Sequence, residues 1–145
     1  MARVEASMVI NRPVKEVGDY LDDPQNSLEW ESGVVESERT SEGPTGVGTT
    51  YRGVITFLGR RLEWTSEVTE FEPYRRTKQK ITAGPLSLEQ TFILEPVKGG
   101  TRLTIIGEGE PRGVFRLADP IVVRMFQRDM EGNLARLKDI LEAEE

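Results

Sequence analysis

The chain has 145 residues, a formal net charge of −6 at pH 7, and neither cysteine nor histidine. This composition excludes disulfide scaffolds, zinc–thiolate sites, Ser-His-Asp triads and histidine-ligated haem, so any acid–base chemistry falls to Asp, Glu, Tyr or Lys. The acidic balance argues against nucleic-acid binding, which needs a basic face that releases phosphate counterions.

No part of the sequence predicts a targeting or membrane segment. The first ten residues carry Glu5 and no long apolar run, unlike a signal peptide, and no apolar stretch approaches the ~18 residues of a membrane span. The sequence therefore predicts a cytoplasmic protein without membrane insertion. Its length is that of one domain, and we expect residues 1–145 to form a single domain.

The beginning of the chain predicts a strand followed by two short helices. Apolar and polar residues alternate over 2–10, which is typical of a strand with one buried face. Asn11 is a favourable helix N-cap, Pro13 is tolerated in a first helical turn, and the Asp-Pro pair at 23–24 ends the helix that follows. Residues 24–30 predict the second short helix.

The middle of the chain predicts repeated strands. Their ranges are 33–39, 47–58, 61–71, 74–82, 86–96 and 101–109. The connections are short and rich in glycine and proline, so consecutive strands should pair antiparallel. Several strands alternate apolar and polar residues, as in a sheet with one face packed on the core and the other exposed to solvent.

The last predicted element is an amphipathic helix from about residue 120 to residue 143, while residues 111–120 predict no single element. Apolar residues recur along the helix at spacings of three and four, and charged residues occupy its other face. Gly132 interrupts the helix. It either permits close approach of helix and sheet or bends the helix and opens room beneath it.

Three segments carry a resemblance to a known superfamily. They are NRPVKEVGDYLDDPQNSLEW at 11–30, VGTTYRGVITF at 47–57 and GGTRLTI at 99–105. In this order of elements they resemble the START-like (SRPBCC) superfamily, which includes polyketide cyclases and aromatases. The resemblance implies an α+β helix-grip fold, with a seven-stranded curved antiparallel sheet wrapped around a long C-terminal helix and two short helices between strands 1 and 2. It also implies a cavity for a hydrophobic small molecule.

We expect the cavity wall to come from the inward strand positions and the apolar face of the last helix. Each ring or methionine taken alone is more often part of a filled core, but together they suit an adaptable apolar pocket. The predicted ligand-binding residues are Trp30, Tyr51, Ile55, Trp64, Ser66, Gln79, Gln90, Phe92, Ile105, Met125, Phe126 and Met130.

Polar groups among these residues are candidates for catalysis. Gln79 and Gln90 lie among apolar neighbours, where a buried amide must hydrogen-bond the other amide, a water or a ligand. The Tyr51 hydroxyl suits polarisation of a carbonyl, although a core tyrosine with a satisfied hydroxyl is the more common explanation of such a residue. The sequence suggests no inward pair of carboxylates, no metal-ligand cluster and no cofactor.

Three functions remain open. The first, which the sequence favours, is binding of a lipid, aromatic or polyketide-like molecule. The second is a cofactor-independent cyclase, aromatase or dehydratase that uses the Tyr and Gln groups. The third is an interaction module with a vestigial cavity and an apolar patch at 111–123. The oligomeric state is open between monomer and dimer.

Overall fold

The computed structural model describes residues 2–57, 59–84, 86–109 and 120–143. The strands in these ranges are β1 (Ala2–Ile10), β2 (Val34–Arg39), β3 (Thr50–Phe57), β4 (Arg60–Glu72), β5 (Arg76–Ala83), β6 (Leu86–Val97) and β7 (Gly100–Gly109). They form one antiparallel sheet in the order β1-β7-β6-β5-β4-β3-β2. Every strand from β2 to β7 pairs with its neighbour in sequence, because the connections between them are short.

The helices lie at the two ends of the chain. They are α1 (Val14–Asp22), a 3₁₀ turn (Pro24–Asn26), α2 (Ser27–Trp30) and α3 (Pro120–Ala143). The curved sheet packs around the long α3, which runs beside β1. The predicted α+β helix-grip fold is therefore confirmed. The second predicted short helix, residues 24–30, is divided into the 3₁₀ turn and α2.

The start of α1 differs from the prediction that Asn11 caps it. The helix begins at Val14 after an extended Pro13 with ψ 154°, and no side chain caps it. The Asn11 N–H instead donates to Glu142 Oε2 at 2.8 Å, which ties this corner to the end of α3. The end of α1 agrees with the prediction, since Asp23 is extended before Pro24, as the residue before a proline prefers.

Two buried apolar clusters form the interior. The larger one joins the second half of α3 to the sheet, α1 and α2; its buried members are Ile10, Val17, Trp30, Phe92, Leu94, Leu103, Ile105, Met130, Leu134, Leu137 and Leu141. The smaller one is built around Ala83 and Leu86, with Trp64 and Phe126 packed against it. Residues of both clusters line one cavity, so the interior is not filled.

Of the two explanations for Gly132 in α3, the structure excludes one. A Cβ added at Gly132 would meet nothing within 4 Å, so this glycine does not serve a close approach of helix and sheet. The helix continues unbroken through this position. None of the helices that the structure describes is long and apolar enough to cross a membrane. Residues 111–119 of the predicted irregular segment lie outside the described residues.

Candidate functional site

A cavity of about 540 Å³ lies between the sheet, the short helices and α3. Strands β2, β3 and β7 add residues to its wall on the sheet side, but most of that wall comes from alternate residues of β4, β5 and β6, because successive strand residues point to opposite faces. The strand residues in question are Trp64, Ser66, Val68, Thr77, Gln79, Ile81, Leu88, Gln90, Phe92 and Leu94. The volume lies within the range usual for small-molecule sites.

The structure brings nearly all of the predicted ligand-binding residues to this cavity. Those that line it are Trp30, Tyr51, Ile55, Trp64, Ser66, Gln79, Gln90, Phe92, Ile105, Phe126 and Met130. Met125 is not among the lining residues. The helix α3 turns Phe126, Asp129, Met130 and Asn133 to the cavity, a stripe at helical spacing that leaves the preceding position aside. Their contact with a ligand stays a prediction.

The junction of α2 and α3 holds one side of the cavity in place. Trp30 is only 2% exposed, and its ring centroid lies 6.2 Å from that of Phe92 at an interplanar angle of 53°. Arg136 Nη1 donates to the Trp30 carbonyl at 2.9 Å, and the Ser32 N–H donates to Asn133 Oδ1 at 2.9 Å. The backbone on both sides of residue 31 is therefore anchored to α3.

Glu31, directly after Trp30, is a lining residue that the sequence analysis missed. Burial raises the pKa of its carboxyl from 4.5 to about 7, because the charged form loses its hydration. Burial is the only cause of this shift, and no described residue donates a hydrogen bond to the carboxyl. The cavity therefore contains a half-buried carboxyl with a raised pKa and no described hydrogen-bond partner.

Two further carboxylic acids line the cavity, Asp22 at the end of α1 and Asp129 on α3. Burial and the neighbouring Asp19 raise the pKa of Asp22, while Arg39 opposes them. Among the described lining residues none is Lys or Arg. Since Asp22 and Asp129 are exposed to solvent, these acids do not overturn the expectation that the cavity contains no inward pair of carboxylates, which stays a prediction. These acids do not cluster, and no group in the described part of the chain is arranged to hold a metal ion.

Two polar atoms on β4 lack partners. Trp64 Nε1 and Ser66 Oγ are buried, and neither finds a hydrogen-bond partner among the described residues. The Trp64 ring lies over Gly53 of β3, where an added Cβ would stand 2.6 Å from Trp64 Cζ2. Glycine at position 53 thus leaves room for the indole against the sheet.

The other predicted polar residues also face the cavity. Gln79 and Gln90 are directly opposite on β5 and β6, and no hydrogen bond joins their amides in the described structure. Tyr51 is half-buried, and burial is the main cause that raises the pKa of its hydroxyl. The two amides remain available to a ligand.

Comparison with known proteins agrees with this geometry. The family model described as polyketide cyclase / dehydrase and lipid transport matches residues 1–142. The chain therefore belongs to the polyketide cyclase/dehydrase and lipid transport family. No match to a curated protein sequence is found.

Solved structures similar to this polyketide cyclase/dehydrase family member share its fold. Protein TTHA0849 from Thermus thermophilus has a TM-score of 0.80 at 23% identity, with 97% of each chain covered. Protein CV1439 from Chromobacterium violaceum has a TM-score of 0.75 at 19% identity, with 98% of this chain and 99% of that one covered. DynU16, described as a putative protein in the dynemicin biosynthetic locus, has a TM-score of 0.71 at 20% identity and is covered over 48% of its length, against 98% of this chain.

Within this family member, the position of Glu31 explains why the sequence did not reveal it. It follows a short helix of four residues, which is too short for a periodic pattern to assign a face. The signal that was present is its place beside Trp30, a large apolar residue in an otherwise polar segment. The burial of Glu31 depends on how the neighbouring α2 packs against β2, which follows it directly, and against α3, which is distant in sequence.

Proposed function

We propose that this protein binds a hydrophobic small molecule in the cavity between the sheet and α3. The observation that carries this function is the cavity of about 540 Å³ itself, since protein interiors normally pack without voids of this size. Its wall combines aromatic rings with single polar groups, as ligand sites do. The family also includes lipid transport in its description. A lipid, aromatic or polyketide-like molecule suits this wall.

Native mass spectrometry of the gently purified protein, followed by extraction under denaturing conditions, tests this function. We expect a stoichiometric apolar passenger or, for an empty protein, saturable binding of the fluorescent dye Nile red. Thr77 of β5 lines the cavity, whereas Thr82 of the same strand is exposed on the opposite face. Thr77→Trp should weaken dye binding because the indole occupies the cavity, and Thr82→Trp should not. Equal binding by both variants, or none by the wild type, refutes the function.

A second candidate is an enzyme of the cyclase or dehydratase kind, favoured by Glu31. A carboxyl with a pKa of about 7 exists in both protonation states at neutral pH, as a group that transfers protons requires. It would remove the proton beside a ligand carbonyl and protonate the hydroxyl that leaves as water. Gln79 and Gln90 would hold the carbonyl oxygen, with Tyr51 beside them.

Dehydration of a β-hydroxy aryl ketone to its conjugated enone tests this second function, because the enone absorbs in the near ultraviolet. The wild type should accelerate the reaction above the buffer rate, and Glu31→Gln should remove the acceleration. Glu63, exposed on the outer face of β4, provides the matched control, Glu63→Gln. Absence of acceleration, or equal rates for wild type and Glu31→Gln, excludes Glu31 as the catalytic group.

A cytoplasmic location and a single domain are further parts of the proposal. The family model spans residues 1–142, which supports one domain over almost the whole chain. The same native mass spectrum distinguishes a monomer from a dimer. A fluorescent fusion expressed in the source cells would show whether the protein stays in the cytoplasm.

A further inference from the structure

The ionisable side chains of the cavity carry one sign of charge. Asp22, Glu31 and Asp129 are acids, and the described lining residues include neither Lys nor Arg. An apolar ligand with a carboxylate head would therefore meet like charge and no Lys or Arg among these lining residues, and it would also lose its hydration. A neutral or cationic head group avoids both penalties.

Of the three acids, Glu31 has the least compensation for its negative charge. Asp22 and Asp129 are both exposed to solvent, and Arg39 offsets part of the rise in the pKa of Asp22. Arg136, the cation tied to the Trp30 carbonyl, does not line the cavity. Without a described hydrogen-bond donor, an ionised Glu31 is stabilised most by a cation that enters the cavity.

The wall near Glu31 adds a second attraction for a cation. Trp30, which precedes Glu31 in the chain, forms a tilted ring pair with Phe92, and both residues line the cavity. Ring faces attract ammonium groups. On β4, Ser66 lines the same cavity, is 5% exposed and has no described partner for its Oγ. A hydroxyl oxygen accepts a hydrogen bond from an N–H group. This buried, unpaired oxygen is an observation independent of the acidic residues, and it too calls for a polar atom on the ligand.

We propose that the cavity selects apolar molecules that carry a protonated amine, with the Glu31 carboxylate as the counter-ion. This inference rests on the proposed binding function and specifies the class of ligand. The amine lies within hydrogen-bond reach of Glu31, and its alkyl or aryl body fills the apolar part of the cavity. Binding ionises Glu31 and releases its proton, so affinity for the amine rises with pH until the carboxyl is fully ionised.

A matched set of eight-carbon ligands tests the selection. Octylamine, octanol and octanoate share one apolar body and differ in the charge of the head group. Each competes with Nile red for the wild type, Glu31→Gln and the control Glu63→Gln. At pH 8 the amine is protonated, as its pKa resembles that of lysine at about 10.4. We expect octylamine to bind the wild type about ten-fold or more tightly than octanol, with octanoate weakest, because charge-assisted hydrogen bonds are the stronger ones.

The variants and the pH dependence separate the possible outcomes. Glu31→Gln should lose about ten-fold in octylamine affinity while octanol affinity stays within about two-fold, and Glu63→Gln should match the wild type. Octylamine affinity of the wild type should be higher at pH 8 than at pH 5. If octanol or octanoate competes as well as octylamine, or if Glu31→Gln retains full octylamine affinity, the amine selection is wrong and the binding function stands. If Nile red and all three ligands fail to bind, the binding function itself is wrong.

Discussion

The ring of Tyr74 lies directly against Gly18, so that a Cβ added to Gly18 would stand 2.6 Å from Tyr74 Cδ1. The Tyr74 hydroxyl also donates to Asp19 Oδ1 at 2.7 Å. Tyr74 has a φ of 60°, a backbone conformation that bulky residues rarely adopt. The ring and hydroxyl contacts therefore hold the turn between β4 and β5 against α1. Gly18 and Tyr74 both line the cavity.

Alanine at position 18 tests this contact. We expect Gly18→Ala to lower the free energy of unfolding by about 1–2 kcal/mol, because the methyl group displaces the Tyr74 ring. In a Tyr74→Ala background the same change should raise it by up to about 1 kcal/mol, because alanine favours a helix over glycine. Urea unfolding of the four proteins measures the coupling. Simple additivity of the two substitutions would contradict the contact.

The two tryptophans should respond differently to truncation. Trp30 is 2% exposed within the larger cluster, and Trp30→Ala should lower the free energy of unfolding by about 3–5 kcal/mol. Trp64 is half-buried and borders the cavity, so Trp64→Ala should cost less stability and change Nile red affinity more. Urea unfolding and dye titration of both variants provide the comparison. A larger stability loss for Trp64→Ala, with unchanged dye affinity, would make Trp64 a core residue.

Glu31 should make stability fall as pH rises. Its carboxyl has a pKa of about 7 when folded, against 4.5 ordinarily, so the folded chain binds more protons between these values. The free energy of unfolding of the wild type therefore decreases as the pH rises from 4.5 to about 7, and it stays at the lower value at higher pH.

Replacing the carboxyl isolates this effect. Glu31→Gln should match the wild type near pH 4 and exceed its free energy of unfolding by about 1–3 kcal/mol at pH 8, since one pKa unit corresponds to about 1.4 kcal/mol and water in the cavity relieves part of the penalty. Urea unfolding at several pH values measures the difference, with Glu63→Gln as control. A pH-independent difference between wild type and Glu31→Gln would contradict the raised pKa of the carboxyl.

Gly132 is a site where stability can be raised. Because an added Cβ meets nothing within 4 Å and the residue lies inside α3, Gly132→Ala should raise the free energy of unfolding by about 0.5–1 kcal/mol. Thermal unfolding with circular dichroism detects the gain as a higher Tm. A lower Tm would show that the helix needs glycine at this position for a reason other than local packing.

The sheet was predictable because its pattern is local. Alternation along β4 places Trp64 and Ser66 on one face whatever the rest of the chain does, since a strand has a period of two residues. The same rule predicted Gln79 and Gln90 as inward residues, and both line the cavity. The helix α3 was predictable for the same reason, because the spacing of three and four residues between its apolar positions is a property of one continuous segment.

Only the tertiary structure decided which of these inward residues meet at one cavity and which charges accompany them. Met125 belongs to the apolar stripe of α3, yet the rotation of the helix on the sheet turns Phe126 and Met130 to the cavity. The burial of Glu31 likewise depends on how α2 packs against α3, which lies about ninety residues further along the chain. Periodicity determines which face a side chain occupies; only the packing of distant elements determines what that face meets, and with it the pKa of a carboxyl enclosed there.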